Sequence, residues 1–97
     1  MRSETFEFEW NVEKARQNEL RHGITFEEAE TAFDDAHARV GYDPDHSLSE
    51  HRLILIGHSD RNRLLFISFT ERHGRIRIIS ARKATRNERK RYEERQE

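Results

Sequence analysis

Apolar residues along this chain change their spacing several times. In Thr5 to Trp10 (TFEFEW), Phe6, Phe8 and Trp10 fall on one side and charges on the other. That alternation predicts a short strand or extended edge. Asn11 is placed to cap a first helix over about Val12 to Arg21, and His22-Gly23 stops it with glycine just past the last turn. Thr25-Phe26-Glu27-Glu28 reads as a capping box. It opens a second helix, about Phe26 to Phe33, with Ala29, Ala32 and Phe33 as its core stripe and Asp34-Asp35 at its end. Ala38 to Tyr42 reads as a short strand, and Asp43-Pro44-Asp45-His46-Ser47 as a loop built on the only proline.

Two nearly continuous apolar runs follow, Arg52 to Gly57 and Leu64 to Thr70. Such runs suit central strands covered on both faces. Asp60-Arg61-Asn62 and Arg72-His73-Gly74 are turns too short for a crossover, so these runs and Arg75 to Ala81 form an antiparallel meander. Thr85-Arg86-Asn87-Glu88 is a second capping box, starting a helix towards Glu94. The pattern predicts an α+β fold: two N-terminal helices, an antiparallel meander of three to four strands, and a C-terminal helix.

Composition sharpens this picture. At 97 residues the chain reads as one domain, with 33% hydrophobic and 38% charged residues. A domain of this size hides about two-thirds of its unfolded surface, so the core is thin. The net charge of -1 conceals an asymmetry: residues 1–60 carry 6 Lys+Arg and 14 Asp+Glu, whereas residues 61–97 carry 12 and 5. The later part has the charge expected of a nucleic-acid or acidic-protein binder; the plainer alternative is that the halves neutralise each other within the fold. Cysteine is absent, which excludes disulfides, zinc–cysteine sites and thiol catalysis. The N-terminus has no apolar stretch of signal-peptide length, and no run approaches a membrane span. A soluble, cytoplasmic protein is expected.

Three stretches resemble a known family: FEFEWNVEKARQNELRHGITFEEAETAF, DPDHSLSEHRLILIGHSDRNRLLFISFTER and IRIISARKATRNERKRYEE. They are similar to the BrnT toxins, the RelE-like ribonuclease half of the BrnT–BrnA toxin–antitoxin systems, over about Phe6 to Glu94. The resemblance implies a RelE-like fold, an RNA-cleaving activity that inhibits translation, and neutralisation by a BrnA-type antitoxin. It also implies operator DNA bound only through the toxin–antitoxin complex, with a 2:2 heterotetramer as the plausible assembly. No cofactor is implied.

Metal-independent RNA cleavage holds a 2′-hydroxyl in line with its phosphate, stabilises the developing charge and moves two protons. Arginine suits the second task, since its fork meets phosphate oxygens in two places. The catalytic candidates are Arg63, Glu71, Arg72, Arg77 and Arg82, with His51 as the acid/base histidine. Arg75, Lys83, Arg86 and Tyr92 are candidates for RNA contact. Each has a plainer alternative. Glu71 would pair with a nearby arginine, Arg82 with Glu88, and His51 would be a solvated loop residue. Tyr92, like Phe6, Trp10 and Phe33, would be core. Arg77 and Arg82 point to opposite faces of a regular strand and share a site only if it bulges near Ser80-Ala81. Ser80 has no evident base partner, and no histidine pair has the spacing of a zinc helix motif. The competing function is a non-catalytic nucleic-acid-binding or co-repressor subunit.

Overall fold

The computed structural model describes residues 6–43 and 51–94. Its elements are β1 (Glu7–Glu9), α1 (Val12–His22), α2 (Phe26–Ala32), β2 (Arg39–Tyr42), β3 (Leu53–His58), β4 (Leu64–Arg72), β5 (Arg75–Lys83) and α3 (Arg86–Glu94). The strands form one sheet in the order β1-β5-β4-β3-β2. β2 to β5 are the expected antiparallel meander. β1 is an addition to it: this edge strand pairs in parallel with β5, making the sheet mixed. The loop expected around Pro44, with His46, lies outside the described residues apart from Asp43.

Local chemistry accounts for most boundaries. Asn11 accepts the Lys14 amide at 2.9 Å, and Gly23, at φ 73°, closes α1 by donating its amide to the Glu19 carbonyl. Only glycine adopts that left-handed cap without strain. The His73-Gly74 turn places both central residues at positive φ, 53° and 79°. This is the twist that a two-residue hairpin requires.

The sheet is covered unequally. Residues opposite each other on neighbouring strands share a face. One face presents Leu55, Leu65, Ile67, Phe69, Ile76, Ile78 and Ala81, and buries them against Ile24, Phe26, Ala29 and Ala32 at and before α2. Phe8, Trp10 and Phe33 pack onto this core edge-to-face, with Trp10 against Phe26 and Phe8 against Phe33. The opposite face holds a smaller cluster, Ile54, Ile56 and Leu64 under Tyr92 of α3. Gly57 lets β3 approach α2: a Cβ there would meet the Ala32 carbonyl oxygen at 3.0 Å.

The register slips once. Ser68 pairs with Ser80 but Phe69 with Ile78, leaving Ile79 as an extra residue in β5. Before this bulge the even positions Ile76 and Ile78 face the main core; after it the odd position Ala81 does. The phase change puts Arg75, Arg77, Ser80 and Arg82 on one face of the sheet, the one opposite the α2-covered core.

Candidate nucleic-acid site

Three of the sequence candidates come together. Arg72, Arg75 and Arg77 line an open cleft of about 440 Å3 with Glu9 and His73. The cleft lies at the β4–β5 hairpin end of the sheet, where β1 joins β5. Arg72 and Arg75 close the hairpin as opposed residues, and Glu9 lies beside Arg77 in the parallel β1–β5 register. The Arg77 guanidinium donates to Glu9 Oε2 at 3.3 Å; Arg75 lies 3.6 Å from Glu9 and 3.3 Å from Glu7.

The other candidates are placed elsewhere. Arg82 shares the face of Arg77 because of the bulge, yet its fork is taken by Glu88 in two bonds of 2.9 Å. Its guanidinium also lies 4.1 Å from the centre of the Phe66 ring. It therefore ties β5 to the start of α3, the ion-pair alternative. Arg63 turns towards α2, where Glu28, buried at 6% exposure, accepts both ends of its fork and the Ser59 hydroxyl. Arg63 thus fastens the β3–β4 turn to the helix layer instead of joining the arginines. Glu71 is paired with Ile76, which puts it on the core side of the sheet, facing away from Arg72 and Arg75. His51 is exposed ahead of β3 and does not line the cleft. Lys83 and Arg86 are exposed beyond it.

Tyr92 is turned inward, 7% exposed. Its hydroxyl donates to Asp35 Oδ2 at 2.7 Å and lies 3.2 Å from His58 Nδ1. This burial leaves no ring face for a base to stack on. Burial, helped by the Asp35 carboxylate, pushes the Tyr92 phenol up to about 12. For Asp35, burial raises the pKa, but bonds from the His58 amide, the Tyr92 hydroxyl and the His37 amide outweigh it and hold the carboxyl below its ordinary range. Hydrogen bonds from Arg63 do the same for Glu28 against the opposing effect of burial.

Glu9 and His73 are the cleft residues that the sequence reading passed over. Glu9 carried a faint signal as a charge on the outward side of an alternating strand. Its neighbourhood with Arg77, 68 residues away, had none. Among the described residues no three His, Asp or Glu side chains gather as metal ligands. No helix among them is long and apolar enough to cross a membrane.

Comparison with known proteins follows the same line. Residues 10–88 match the family model described as the ribonuclease toxin, BrnT, of type II toxin–antitoxin systems. The crystal structure of the Brucella abortus ribonuclease toxin BrnT aligns with a TM-score of 0.66 at 22% identity, covering 84% of this chain and 100% of that one. At that identity the likeness speaks for the fold. No curated protein matches the chain.

Proposed function

The chain belongs to the BrnT family of type II toxin–antitoxin ribonuclease toxins, and from that membership we propose that it cuts RNA at the Arg72–Arg75–Arg77 cleft without a metal. The observation that carries this reading is the gathering of three guanidinium groups, one imidazole and one carboxylate around a single open space. The arginines bind the phosphate to be cleaved and stabilise the charge that develops on its oxygens. The RNA 2′-oxygen attacks phosphorus and the bond to the 5′-oxygen breaks, giving a 2′,3′-cyclic phosphate and a free 5′-hydroxyl. Glu9 takes the proton of the 2′-hydroxyl, and His73 supplies one to the leaving oxygen. Histidine is the side-chain type suited to proton exchange near neutral pH.

Arg75 and Arg77 are paired with Glu7 and Glu9, so substrate phosphate competes with these carboxylates. A BrnA-type antitoxin neutralises the toxin by covering the cleft, in a 2:2 complex that carries the operator-binding surface on the antitoxin. In the cytoplasm the free toxin stops translation by depleting RNA.

The test is cleavage of a labelled RNA by the purified chain in EDTA. Full activity is expected with the chelator present. Arg72→Ala and Arg77→Ala should each lose about a hundredfold or more in kcat/KM, the usual effect of removing one group that stabilises transition-state charge. RNA that is bound but never cut would point instead to the co-repressor reading, in which the arginines only hold phosphate.

A further inference from the structure

Of the apolar side chains of α1, Ala15 packs on the main core but the two larger ones do not. Val12 and Leu20 are open to solvent, at 78% and 74% exposure. Lys14, Gln17, Asn18 and Arg21 instead line a groove of about 260 Å3 against the β5 bulge, completed by His22, Ile79 and Ser80. These helix positions are three, four and seven residues apart, so they form one stripe. The stripe that a helix turns to its sheet is ordinarily the apolar one. Here it holds two cations, Lys14 and Arg21, and two amides, Gln17 and Asn18, and no carboxylate lines the groove among the described residues.

The groove is held open by construction. β1 pairs with β5 only as far as Arg77, and beyond that point α1 becomes the neighbour of β5. The buried Asn18 fixes the seam: its side-chain nitrogen donates to the Ala81 carbonyl at 2.8 Å and to the Ile24 carbonyl at 3.0 Å, and its oxygen accepts the Ala81 amide at 3.1 Å. The extra residue Ile79 lies at the groove wall. Neither Lys14 nor Arg21 has an acidic side-chain partner among the described residues, whereas Arg63, Arg75, Arg77 and Arg82 all have one.

We infer that this α1–β5 seam is a second phosphate-binding site, which takes the backbone of single-stranded RNA beyond the arginine cleft. The identity of its ligand rests on the ribonuclease reading above. RNA is favoured over an acidic peptide because the seam adjoins the strand that carries Arg75 and Arg77. Ser80 follows Arg77 by three residues, about 10 Å along a strand, so one polynucleotide can engage both places. Lys14 and Arg21 supply the charge; Gln17 and Ser80 supply neutral donors for the remaining phosphate oxygens.

The test uses a fluorescein-labelled single-stranded DNA oligonucleotide, which lacks the 2′-hydroxyl and is not cut. In the Lys14→Ala/Arg21→Ala double variant, affinity by anisotropy should fall about tenfold at low salt. The slope of log K against log salt should become shallower by about 1.4, two contacts at about 0.7 each. Arg16→Ala, which removes a cation paired with Glu13, should change neither. Unchanged affinity and slope in a double variant with the parent circular dichroism spectrum would overturn the site. So would weakened binding of a poly-glutamate peptide with the oligonucleotide unaffected. As a check that needs no variant, titrating the intact chain with oligonucleotide should shift the amide resonances of Gln17, His22 and Ser80. Shifts confined to the Arg72–Arg75 hairpin would count against the proposal. Failure of the ribonuclease reading shows separately, as RNA left intact by the parent protein.

Discussion

Glu28 and Glu88 sit in the same four-residue cap signature, yet their carboxylates end in different places. Glu88 completes its box: the Thr85 amide donates to it at 2.8 Å, and its own amide reaches the Thr85 hydroxyl at 3.2 Å. Glu28 donates its amide to the Thr25 hydroxyl at 3.0 Å but sends its carboxylate to Arg63 and Ser59. A local motif cannot announce a partner 35 residues away, which is why the cap was legible and the ion pair was not. Glu28→Ala takes the acceptor from the Ser59 hydroxyl and from the partly exposed Arg63 fork, so it should lower the urea midpoint. Both carboxylates, with Asp35, are held below their ordinary range in the fold. The unfolded chain therefore binds more protons in the acid range. The stability they contribute is complete above the ordinary carboxylate pKa and is lost as pH falls below about 4. Glu28→Gln should flatten that acid limb in a pH series of melting curves. Tyr92 runs the other way. Its raised pKa stabilises the fold below pH 10 and ceases to do so as pH rises towards about 12. Tyr92→Phe should remove that alkaline loss.

At the scale of elements, the two apolar runs and the turns between them predict β3, β4 and β5 with boundaries shifted by a residue or two. The partner of β1 was not legible. Phe6, Phe8 and Trp10 say that one side is buried, but alternation carries no information about which distant strand lies alongside. The bulge is visible in retrospect. Ile76, Ile78, Ile79 and Ala81 cannot all satisfy one strict alternation, and a doublet inside a strand is where the phase changes. Deleting Ile79 restores a regular register and forces either the Ile76/Ile78 pair or Ala81 off the main core. The expected outcome is loss of cooperative unfolding, followed by circular dichroism. Ile79→Ala keeps the residue count and should preserve the transition.

Across the whole molecule, the acidic first half and the basic second half meet in the fold. Glu7 and Glu9 reach Arg75 and Arg77, and Glu28 reaches Arg63. Part of the asymmetry is thus internal neutralisation, and the rest leaves the cleft and the exposed cations of β5 and α3 facing solvent. The charge count foresaw a basic edge but not that acids from the opposite end of the chain would be stationed in it. Glu7→Gln removes the nearer of the two carboxylates beside Arg75, leaving Glu9, without touching the core. RNA affinity should rise a few-fold at low salt, an increase that salt screens away. An affinity that stays flat would mean that Glu7 does not compete for Arg75.

Asn18 has a consequence that reaches past its own bonds. Beside Ala81 it stands in for a missing strand, giving one N–H and taking another as a backbone peptide would. Aspartate there would set oxygen against the Ala81 carbonyl, leucine would strand the Ala81 amide and the carbonyls of Ala81 and Ile24, and glutamine would overreach. In a saturation library selected for folded protein, this column should collapse to a single letter, although nothing in its helical neighbourhood marks it as special.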